Sequence, residues 1–249
     1  MLTAKTKVLG VIGNPVEQSL SPVIHAEFSR FSGLDYTYNA FPVLSENIGA
    51  AISGAYALGI AGLNVTFPHK KAVMPYLCGI DETAAKIGAV NTLVRQDTGY
   101  KGYNTDYLGI SAVLAEHGFL SPNRVVIIGA GGTAAAACAA CAKIGAKEVV
   151  ILNRTLANAE KLAVSAQKTY GLPVRAAALA DCKNACGEIV IQTSTAGFKN
   201  ENESPVNDTS FFGGVKFALD VIYDPFKTKF LHLAESADVQ YSNGFGMLI

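Results

Sequence analysis

Polar residues that could bind and protonate a small oxygenated substrate recur in the first half of the chain. Asn64 and Thr66 alternate with apolar residues along one predicted strand, so both point to the same face, and Lys70 follows them. Asn91 lies in the segment Gly88-Ala89-Val90-Asn91-Thr92, and Asp106 closes the segment Gly102-Tyr103-Asn104-Thr105-Asp106. Together these side chains offer an ammonium, a carboxylate, amides and hydroxyls to a polyhydroxylated acid. Lys70 alone is typical of a solvated surface lysine, and Asp106 could serve only to cap the helix that follows it.

Two hydroxyl side chains lie at the predicted start of the first helix. Ser21 is predicted to be the N-cap of that helix and Pro22 its first residue. Capping accounts for Ser21 but leaves Ser19 unexplained. Because a helix N-terminus attracts negative charge, two hydroxyls beside it predict a site for a small anion such as a carboxylate.

A glycine-rich turn typical of dinucleotide-binding sites follows the β-branched segment 125–128. The first glycine permits a tight turn, the second lets the backbone approach a pyrophosphate, and a small third residue allows close helix packing. Such turns also occur as plain helix entries, but the position between a β-branched strand and a long helix favours the nucleotide site. The candidate residues are Gly129, Ala130, Gly131, Gly132, Thr133 and Ala134.

The end of the next predicted strand bears on which nucleotide is bound. An NAD site usually places Asp or Glu about 20 residues after the glycine turn, where it binds the ribose 2′-hydroxyl. Here the strand ends in Asn153, Arg154 and Thr155, with no acidic residue. A guanidinium suits a 2′-phosphate, which predicts NADP rather than NAD. Arg154 could otherwise be an ordinary surface residue at a helix entry.

The elements that must position these groups alternate between strands and helices along the chain. The first half predicts strands at 7–12, 36–41, 62–66, 89–95 and 100–103, and helices at 22–31, 46–57 and 81–87. The second half predicts strands at 124–128, 148–152, 188–192, 216–221 and 239–242, and helices at 106–117, 133–144, 157–170 and 228–237. This order predicts two α/β domains with parallel sheets, the second of Rossmann type, and a ligand-binding cleft between them.

The composition indicates a globular protein that binds small ligands. Half of the 249 residues are apolar and 16% are charged, which excludes an intrinsically disordered chain. The formal net charge is zero, so no field of one sign drives general binding to nucleic acid or anionic lipid. The uncharged segment 125–142 is interrupted by glycines and predicts no membrane span. With no secretory signal, we expect a cytoplasmic protein.

The cysteines predict packing rather than metal binding. Cys138 and Cys141 have redox or metal spacing, but they lie in an alanine-rich helical segment where cysteine acts as a small apolar residue. No second pair with zinc-ligand spacing accompanies them. We therefore expect no metal site.

Taken together, the motifs resemble the shikimate dehydrogenase family along essentially the whole chain. The segments that carry the resemblance are Gly13-Asn14-Pro15, Ser19-Leu20-Ser21-Pro22 with His25, Asn64-x-Thr66-x-Pro68-x-Lys70, Gly88-Ala89-Val90-Asn91-Thr92, Gly102-Tyr103-Asn104-Thr105-Asp106, Gly129-Ala130-Gly131-Gly132, Asn153-Arg154-Thr155, Asp220-Val221-Ile222-Tyr223-Asp224-Pro225 and Gly244-Phe245-Gly246-Met247-Leu248.

The resemblance implies a reversible, NADP-dependent reduction of 3-dehydroshikimate to shikimate in aromatic amino-acid biosynthesis. It implies that Lys70 is the catalytic acid–base group, paired with Asp106. Ser19 and Ser21 would bind the substrate carboxylate. The remaining implied substrate contacts are Asn64, Thr66, Asn91 and Tyr223, and the implied cofactor contacts are residues 129–134, Asn153, Arg154, Thr155 and Gly244.

Departures from the family pattern leave alternatives open. Asn158 stands where a second basic residue often helps to hold the 2′-phosphate, so selectivity for NADP could be softer. A quinate/shikimate dehydrogenase with relaxed cofactor use, or a non-catalytic NADP-binding regulatory protein, are the alternatives. The oligomeric state is left open between monomer and homodimer.

The resemblance also implies a division of the chain into domains. It assigns substrate binding to residues 1–105, NADP binding to 106–243, and the start of a return to the first domain to 244–249. In the family a C-terminal helix normally completes the first domain, and the sequence stops at Ile249 before such a helix.

Overall fold

The computed structural model describes residues 3–185 and 187–248, except for the side chains of Lys183 and Asn184. Cys186 lies outside the described residues. The chain forms two compact units, Met1–Thr105 and Asp106–Ile249. The predicted α/β class, with a Rossmann-type second domain, is confirmed.

The first unit contains six strands and three α-helices among the described residues. They are β1 (Lys7–Gly13), α1 (Ser21–Ser32), β2 (Tyr36–Pro42), α2 (Ile48–Ala57), β3 (Gly62–Val65), β4 (Gly79–Ile80), α3 (Glu82–Ile87), β5 (Thr92–Gln96) and β6 (Gly99–Tyr103). Short 3-10 helices lie at Ser45–Asn47 and Met74–Tyr76.

The sheet of the first unit is mixed, which corrects the expectation of a parallel sheet. Its strand order is β2-β1-β3-β5-β6-β4, and β5 runs antiparallel to both β3 and β6. The physical reason is the tight turn after β5. Only Asp97 and Thr98 separate β5 from β6, and so short a loop can join only antiparallel neighbours.

The antiparallel strand brings several chain segments to one edge of the sheet. Thr92, the first residue of β5, pairs with Asn64 near the end of β3 and with Tyr103 at the end of β6. The amino end of β5 therefore lies beside the carboxyl ends of β3 and β6. Residues that follow β3 and β6 meet those that precede β5 at this edge.

Two apolar clusters cover the faces of this sheet. The larger one packs Ile48 and Ile52 of α2 against strand residues that include Leu63 and Leu93. On the opposite face a small cluster contains Val11 and Tyr38. No residue of α1 is fully buried among the described residues, so this helix contributes little to the core.

The second unit contains six strands and four α-helices among the described residues. They are α4 (Asp106–Glu116), β7 (Arg124–Ile128), α5 (Gly132–Lys143), β8 (Glu148–Asn153), α6 (Leu156–Tyr170), β9 (Val174–Ala178), β10 (Ile189–Gln192), β11 (Phe217–Asp220), α7 (Lys229–Ser236) and β12 (Gln240–Ser242). Short 3-10 helices lie at Leu179–Asn184, Thr209–Phe212 and Gly244–Met247.

The second sheet is parallel throughout, with the order β12-β11-β10-β7-β8-β9. Read from the other edge, this is the strand order of a dinucleotide-binding fold, in which the order reverses between β7 and β10. Strand β9 was not predicted from the sequence. Its segment ends in three alanines, which have low strand propensity, and it is held at the sheet edge by β8.

Helix α5 packs closely because its side chains are small. Residues Ala134 to Cys141 are all buried, and Cys138 and Cys141 are fully buried in the core beside β7 and β8. This confirms the prediction that these two cysteines pack as apolar residues. Burial raises the pKa of the Cys138 thiol to about 12, so it stays protonated. No helix within the described residues is long and apolar enough to cross a bilayer.

Close backbone contact makes Gly244 a position that only glycine fits. Its amide donates to the Ile222 carbonyl at 3.1 Å. A Cβ atom there would overlap the Val221 carbonyl oxygen and lie 2.5 Å from its carbonyl carbon. Because backbone atoms form the obstacle, a side-chain rotation cannot relieve the overlap.

We expect Gly244→Ala to lower the free energy of unfolding by about 3 kcal/mol, the upper range for overpacking. Gly54→Ala is the matched control, since no atom of the other described residues, apart from the helix's own backbone, lies within 4 Å of a Cβ at that position. It should stabilise the protein by about 0.5–1 kcal/mol. Urea unfolding of both variants measures the difference, and equal stability of the two would contradict the close contact.

Candidate active site

The polar residues predicted near the strand ends of the first unit lie at one edge of its sheet. Asn64 belongs to β3, Thr66 follows that strand, and Asn91 immediately precedes β5. The backbone joins them, because Val65 donates to the Asn91 carbonyl at 2.8 Å and Asn91 donates to the Tyr103 carbonyl at 2.9 Å. The structure therefore brings Asn64, Thr66 and Asn91 together.

The side chains at this edge form a hydrogen-bonded network. The Tyr38 hydroxyl donates to Asn64 Oδ1 at 2.7 Å, and Asn64 Nδ2 donates to Thr92 Oγ1 at 3.2 Å. Thr92 donates in turn to Asn91 Oδ1 at 2.9 Å. Asn91 Nδ2 donates to Thr105 Oγ1, and the Thr105 amide donates to Asn91 Oδ1, both at 2.9 Å. Both predicted asparagines are thus held in fixed orientations.

Lys70 lies on a turn that is hydrogen-bonded to two other segments of the first unit. Its carbonyl accepts a hydrogen bond from Val90 at 2.8 Å. The preceding residue, His69, is 1% exposed and its Nε2 lies 2.7 Å from the Val43 carbonyl oxygen. The Lys70 side chain is half-buried, whereas that of Lys71 is exposed. These contacts place Lys70 on a well-anchored backbone beside the end of the sheet that carries Asn64, Thr66, Asn91 and Thr92, which we call the polar edge.

The start of α1 differs from the prediction at Ser21. The N-cap is Leu20, which makes no side-chain capping bond, and Ser21 is the first helical residue. The helix therefore lacks the side-chain cap that we predicted from Ser21, and the Ser19 hydroxyl accepts a hydrogen bond from the Ser21 amide at 3.3 Å, just before the helix. As an acceptor, Ser19 keeps its hydroxyl proton for donation. Both residues are half-buried, and an anion-binding role for them stays a prediction.

In the second unit, the glycine turn has the geometry that close approach to a ligand needs. Gly129 adopts a φ of 116°, and a Cβ there would lie 2.5 Å from Thr193 Oγ1. Gly131 is the N-cap of α5, and among the described residues no atom outside its chain neighbours lies within 4 Å of a Cβ built on it. The first turn of α5 therefore offers backbone N–H groups to an anion.

A second loop, beside the glycine turn, was not predicted as part of the site. Gln192 is fully buried, and its side chain bonds both ways with the loop: Oε1 accepts from the Ser194 amide at 2.6 Å, and Nε2 donates to the Ala196 carbonyl at 3.1 Å. Thr193 donates through its amide and its hydroxyl to the Ile128 carbonyl. This loop follows β10, so with the glycine turn it flanks the point where the strand order reverses. The sequence signal that could have indicated this loop is the polar run Gln-Thr-Ser at the end of a buried strand.

The end of β8 lacks an acidic residue, as the sequence indicated. Asn153 Nδ2 donates to the Thr155 carbonyl at 2.9 Å, and this bond shapes the entry to α6. Arg154 is exposed and forms no ion pair within residues 3–185 and 187–248. Its guanidinium is therefore available to an anion, which fits a phosphate better than a bare 2′-hydroxyl.

The segment that carries Tyr223 is anchored by a buried carboxyl group. Asp220, at the end of β11, accepts hydrogen bonds from the Ile222 amide at 3.0 Å and from Thr228 Oγ1 at 2.6 Å. Thr228 also caps α7. Burial raises the pKa of Asp220 to about 7, with the two hydrogen bonds acting in the opposite direction. Tyr223 is half-buried and Gly244 is buried next to Ile222.

The remaining predicted residues are placed individually. Asp106 is the first residue of α4 and is half-buried. Ala134 is fully buried within α5, whereas Ala130, Gly132 and Thr133 are half-buried. Within the described part of the chain, no three His, Cys, Asp or Glu residues gather as a metal site would require.

Two family models match the chain. The model of the shikimate dehydrogenase substrate binding domain matches residues 11–93, and that of shikimate / quinate 5-dehydrogenase matches residues 113–202. A shikimate dehydrogenase (NADP(+)) of Methanocaldococcus jannaschii is 40% identical, with all of this chain and 89% of the relative covered.

Solved structures agree with the sequence relatives. A crystal structure of a shikimate dehydrogenase in complex with NADP+ superposes with a TM-score of 0.91 at 39% identity, covering 100% of this chain and 88% of that one. The shikimate 5-dehydrogenase of Listeria monocytogenes, in complex with shikimate and NAD, superposes with a TM-score of 0.86 at 32% identity, covering 99% and 89%.

The buried Asp220 predicts a pH-dependent stability. Its pKa rises from 3.8 to about 7 on folding, so the folded protein keeps a proton that the unfolded chain releases between these values. This contribution is complete below about pH 4 and is lost as the pH rises through 7. In the Asp220→Asn variant this residue stays neutral at every pH. Between pH 5 and pH 8 the unfolding free energy of the wild type should therefore fall by at least about 1 kcal/mol more than that of the variant.

Urea unfolding at both pH values measures this difference. Asp35→Asn, at an exposed carboxylate, controls for the loss of a surface charge. A stability difference between wild type and Asp220→Asn that is the same at pH 5 and pH 8 would show that Asp220 does not titrate on folding.

Proposed function

We propose a function on the premise that the chain belongs to the shikimate dehydrogenase family. The protein is an NADP-dependent oxidoreductase that reversibly reduces 3-dehydroshikimate to shikimate in aromatic amino-acid biosynthesis. The observation that carries this function is the 40% identity, over the whole chain, to a relative named shikimate dehydrogenase (NADP(+)). The similarity to structures solved with NADP+ and with shikimate supports the same cofactor and substrate.

Each unit has a distinct part in this proposal. Residues 1–105 bind the substrate and residues 106–243 bind NADP, while 244–249 are taken as the start of a return to the first domain. The polar edge around Asn64 and Asn91 supports the first assignment, and the open N-terminus of α5 supports the second. A cytoplasmic location belongs to the proposal as well, and the choice between monomer and homodimer stays open.

Lys70 is the proposed acid–base group. Bound NADPH would supply the hydride. Reduction of a ketone leaves negative charge on its oxygen, and an ammonium beside that oxygen stabilises the charge and donates a proton. The anchored turn around Lys70 supports a fixed position for this ammonium. Asp106 would orient Lys70 and a neighbouring substrate hydroxyl.

The other predicted contacts hold the substrate in place. Ser19 and Ser21 would donate hydroxyl protons to its carboxylate, and Ser19 retains its proton for this purpose because it accepts from the Ser21 amide. Asn64, Thr66 and Asn91 would bind ring hydroxyls, with Tyr223 nearby. The orientation of both asparagines within the network supports this role.

The cofactor contacts follow from the second unit. Residues 129–134 would hold the pyrophosphate at the N-terminus of α5, and Gly244 would contact the cofactor as well. Asn153, Arg154 and Thr155 would hold the adenosine 2′-phosphate. The exposed guanidinium of Arg154, which has no ion pair among the described residues, and the lack of an acid at the end of β8 support NADP over NAD.

Two alternatives are less well supported. A quinate/shikimate dehydrogenase with relaxed cofactor use agrees with Asn158, but Ser21 and Arg154 argue against it. A non-catalytic NADP-binding regulatory protein would have no need of Lys70 and Asp106, both of which the chain retains.

Replacement of the proposed acid–base group tests the mechanism. We expect Lys70→Ala to lower kcat by about 10²- to 10⁴-fold, because the proton donor is lost. Shikimate should still bind, as calorimetry can measure. Lys71→Ala is the control, since it removes a neighbouring exposed lysine, and its kcat should stay near that of the wild type. Full activity of Lys70→Ala would rule out this role.

The choice of nucleotide is tested at Arg154. We expect Arg154→Gln to raise KM for NADP about tenfold and to leave KM for NAD within a factor of two, because only NADP carries the 2′-phosphate. Lys161→Gln removes an exposed charge farther along α6 and should change neither value. Equal effects of Arg154→Gln on both nucleotides would contradict the assignment.

A further inference from the structure

The network at the polar edge contains two groups whose hydrogen-bonding roles cannot be reversed. A backbone N–H only donates, so Asn91 must turn its side-chain oxygen toward the Thr105 amide, 2.9 Å away. A backbone carbonyl only accepts, so Asn64 must turn its side-chain nitrogen toward the Asn91 carbonyl, 3.4 Å away. These two groups fix which end of each amide faces which neighbour.

These fixed amides leave only one consistent set of donor and acceptor roles for the hydroxyls of Thr92 and Tyr38. Thr92 Oγ1 lies 2.9 Å from Asn91 Oδ1, which is an acceptor. Thr92 therefore donates its single hydroxyl proton to Asn91 Oδ1. Its oxygen accepts from Asn64 Nδ2 at 3.2 Å. Asn64 Oδ1 consequently faces Tyr38, whose hydroxyl must donate to it at 2.7 Å. The chain of donors therefore runs from Tyr38 through Asn64, Thr92 and Asn91 to Thr105.

The hydrogen bonds of the Asn64 side chain show which of its donors and acceptors remain for a ligand. Its nitrogen carries two protons and faces two acceptors, Thr92 Oγ1 and the Asn91 carbonyl. Its oxygen has two lone pairs, and Tyr38 uses one of them. The remaining capacity of the Asn64 side chain is one acceptor lone pair on Oδ1. Such a lone pair recognises a hydroxyl, which can donate, and not a carbonyl.

Tyr38 is itself held firmly. It is 9% exposed, and its ring stacks on that of His25 with centroids 3.9 Å apart and an angle of 5° between the planes. His25 comes from α1, so the stack ties the helix to the strand that carries Tyr38. A hydroxyl on a ring held in this way fixes the position of the Asn64 oxygen better than solvent would.

We propose that Tyr38 and Thr92 are positioning residues that orient Asn64, so that its Oδ1 accepts a hydrogen bond from a substrate hydroxyl that the reaction leaves unchanged. This inference rests on the proposed function and names the residues that set its substrate specificity. Neither positioning residue needs to touch the substrate, because each acts through the Asn64 amide.

Tyr38→Phe is the primary test, because it removes one hydroxyl and keeps the stacked ring. We expect KM for shikimate to rise about three- to tenfold, the effect of one hydrogen bond, with kcat changed less than twofold. Tyr36→Phe is the matched control. Tyr36 lies on the same strand and against the same His25 ring, but its hydroxyl makes no hydrogen bond within the described residues. Its KM should equal that of the wild type.

A second pair of variants keeps the test valid if Tyr38→Phe folds poorly. Thr92→Val keeps the shape of the side chain but removes the hydroxyl between the two asparagines, and should raise KM by a similar factor. Thr92→Ser restores a hydroxyl and should return KM to near the wild-type value. A merely structural role would not produce this rescue together with an unchanged kcat.

Deoxy analogues of shikimate identify the hydroxyl itself. Each analogue lacks one of the hydroxyls that the reaction does not oxidise. One of these hydroxyls donates to Asn64. For that hydroxyl, the effects on KM of removing it and of Tyr38→Phe should be non-additive, because both changes delete the same interaction. For the other hydroxyl the effects should add.

The outcomes separate this inference from the proposed function. Wild-type protein that does not turn over shikimate with NADP overturns both. An active wild type, with Tyr38→Phe matching Tyr36→Phe and Thr92→Val matching Thr92→Ser, overturns the positioning role alone. Additive effects with every analogue contradict the assignment of a hydroxyl to Asn64.

Discussion

The antiparallel pairing of β5 between β3 and β6 is the constraint on which the polar edge of the first unit depends. It places Thr92 opposite both Asn64 and Tyr103, so the residues that precede β5 lie beside those that end β3 and β6. In a purely parallel sheet, the amino end of this strand would lie at the opposite edge. Asn91 would then be remote from Asn64, and neither amide would have its present partner.

The second unit reaches a comparable result with different means. Its parallel sheet reverses strand order between β7 and β10, and the loops that follow these strands lie side by side. Small residues along α5 let the helix approach the sheet, while Gly129 and Gly131 keep side chains away from its N-terminus. At the N-terminus of α5 the donors available to a ligand are therefore backbone N–H groups rather than charged side chains. This agrees with a phosphate-bearing ligand.

Much of this could be predicted from the sequence where the local signal was strong. The strand 124–128 and its glycine turn were predicted where the structure has them, and so was the strand end without an acid at Asn153. The alanines of β9 carried no strand signal, because pairing with β8 rather than propensity forms that strand. The antiparallel course of β5 was missed, although only Asp97 and Thr98 separate this strand from β6. The start of α1 at Ser21 without a side-chain cap depends on local backbone geometry and on the bond from the Ser21 amide to Ser19, which the sequence does not reveal.

Function depends on more than the fold, because one fold can carry several substrates. The relatives named shikimate dehydrogenase (NADP(+)) support shikimate and NADP as substrate and cofactor, and we propose that the polar edge and the exposed Arg154 contact them. The most direct measurement is the initial rate of the wild-type protein with shikimate or quinate, each with NADP or NAD. The account predicts that shikimate with NADP gives the highest kcat/KM of the four pairs. A higher value for quinate or for NAD, or no turnover with any pair, would contradict it.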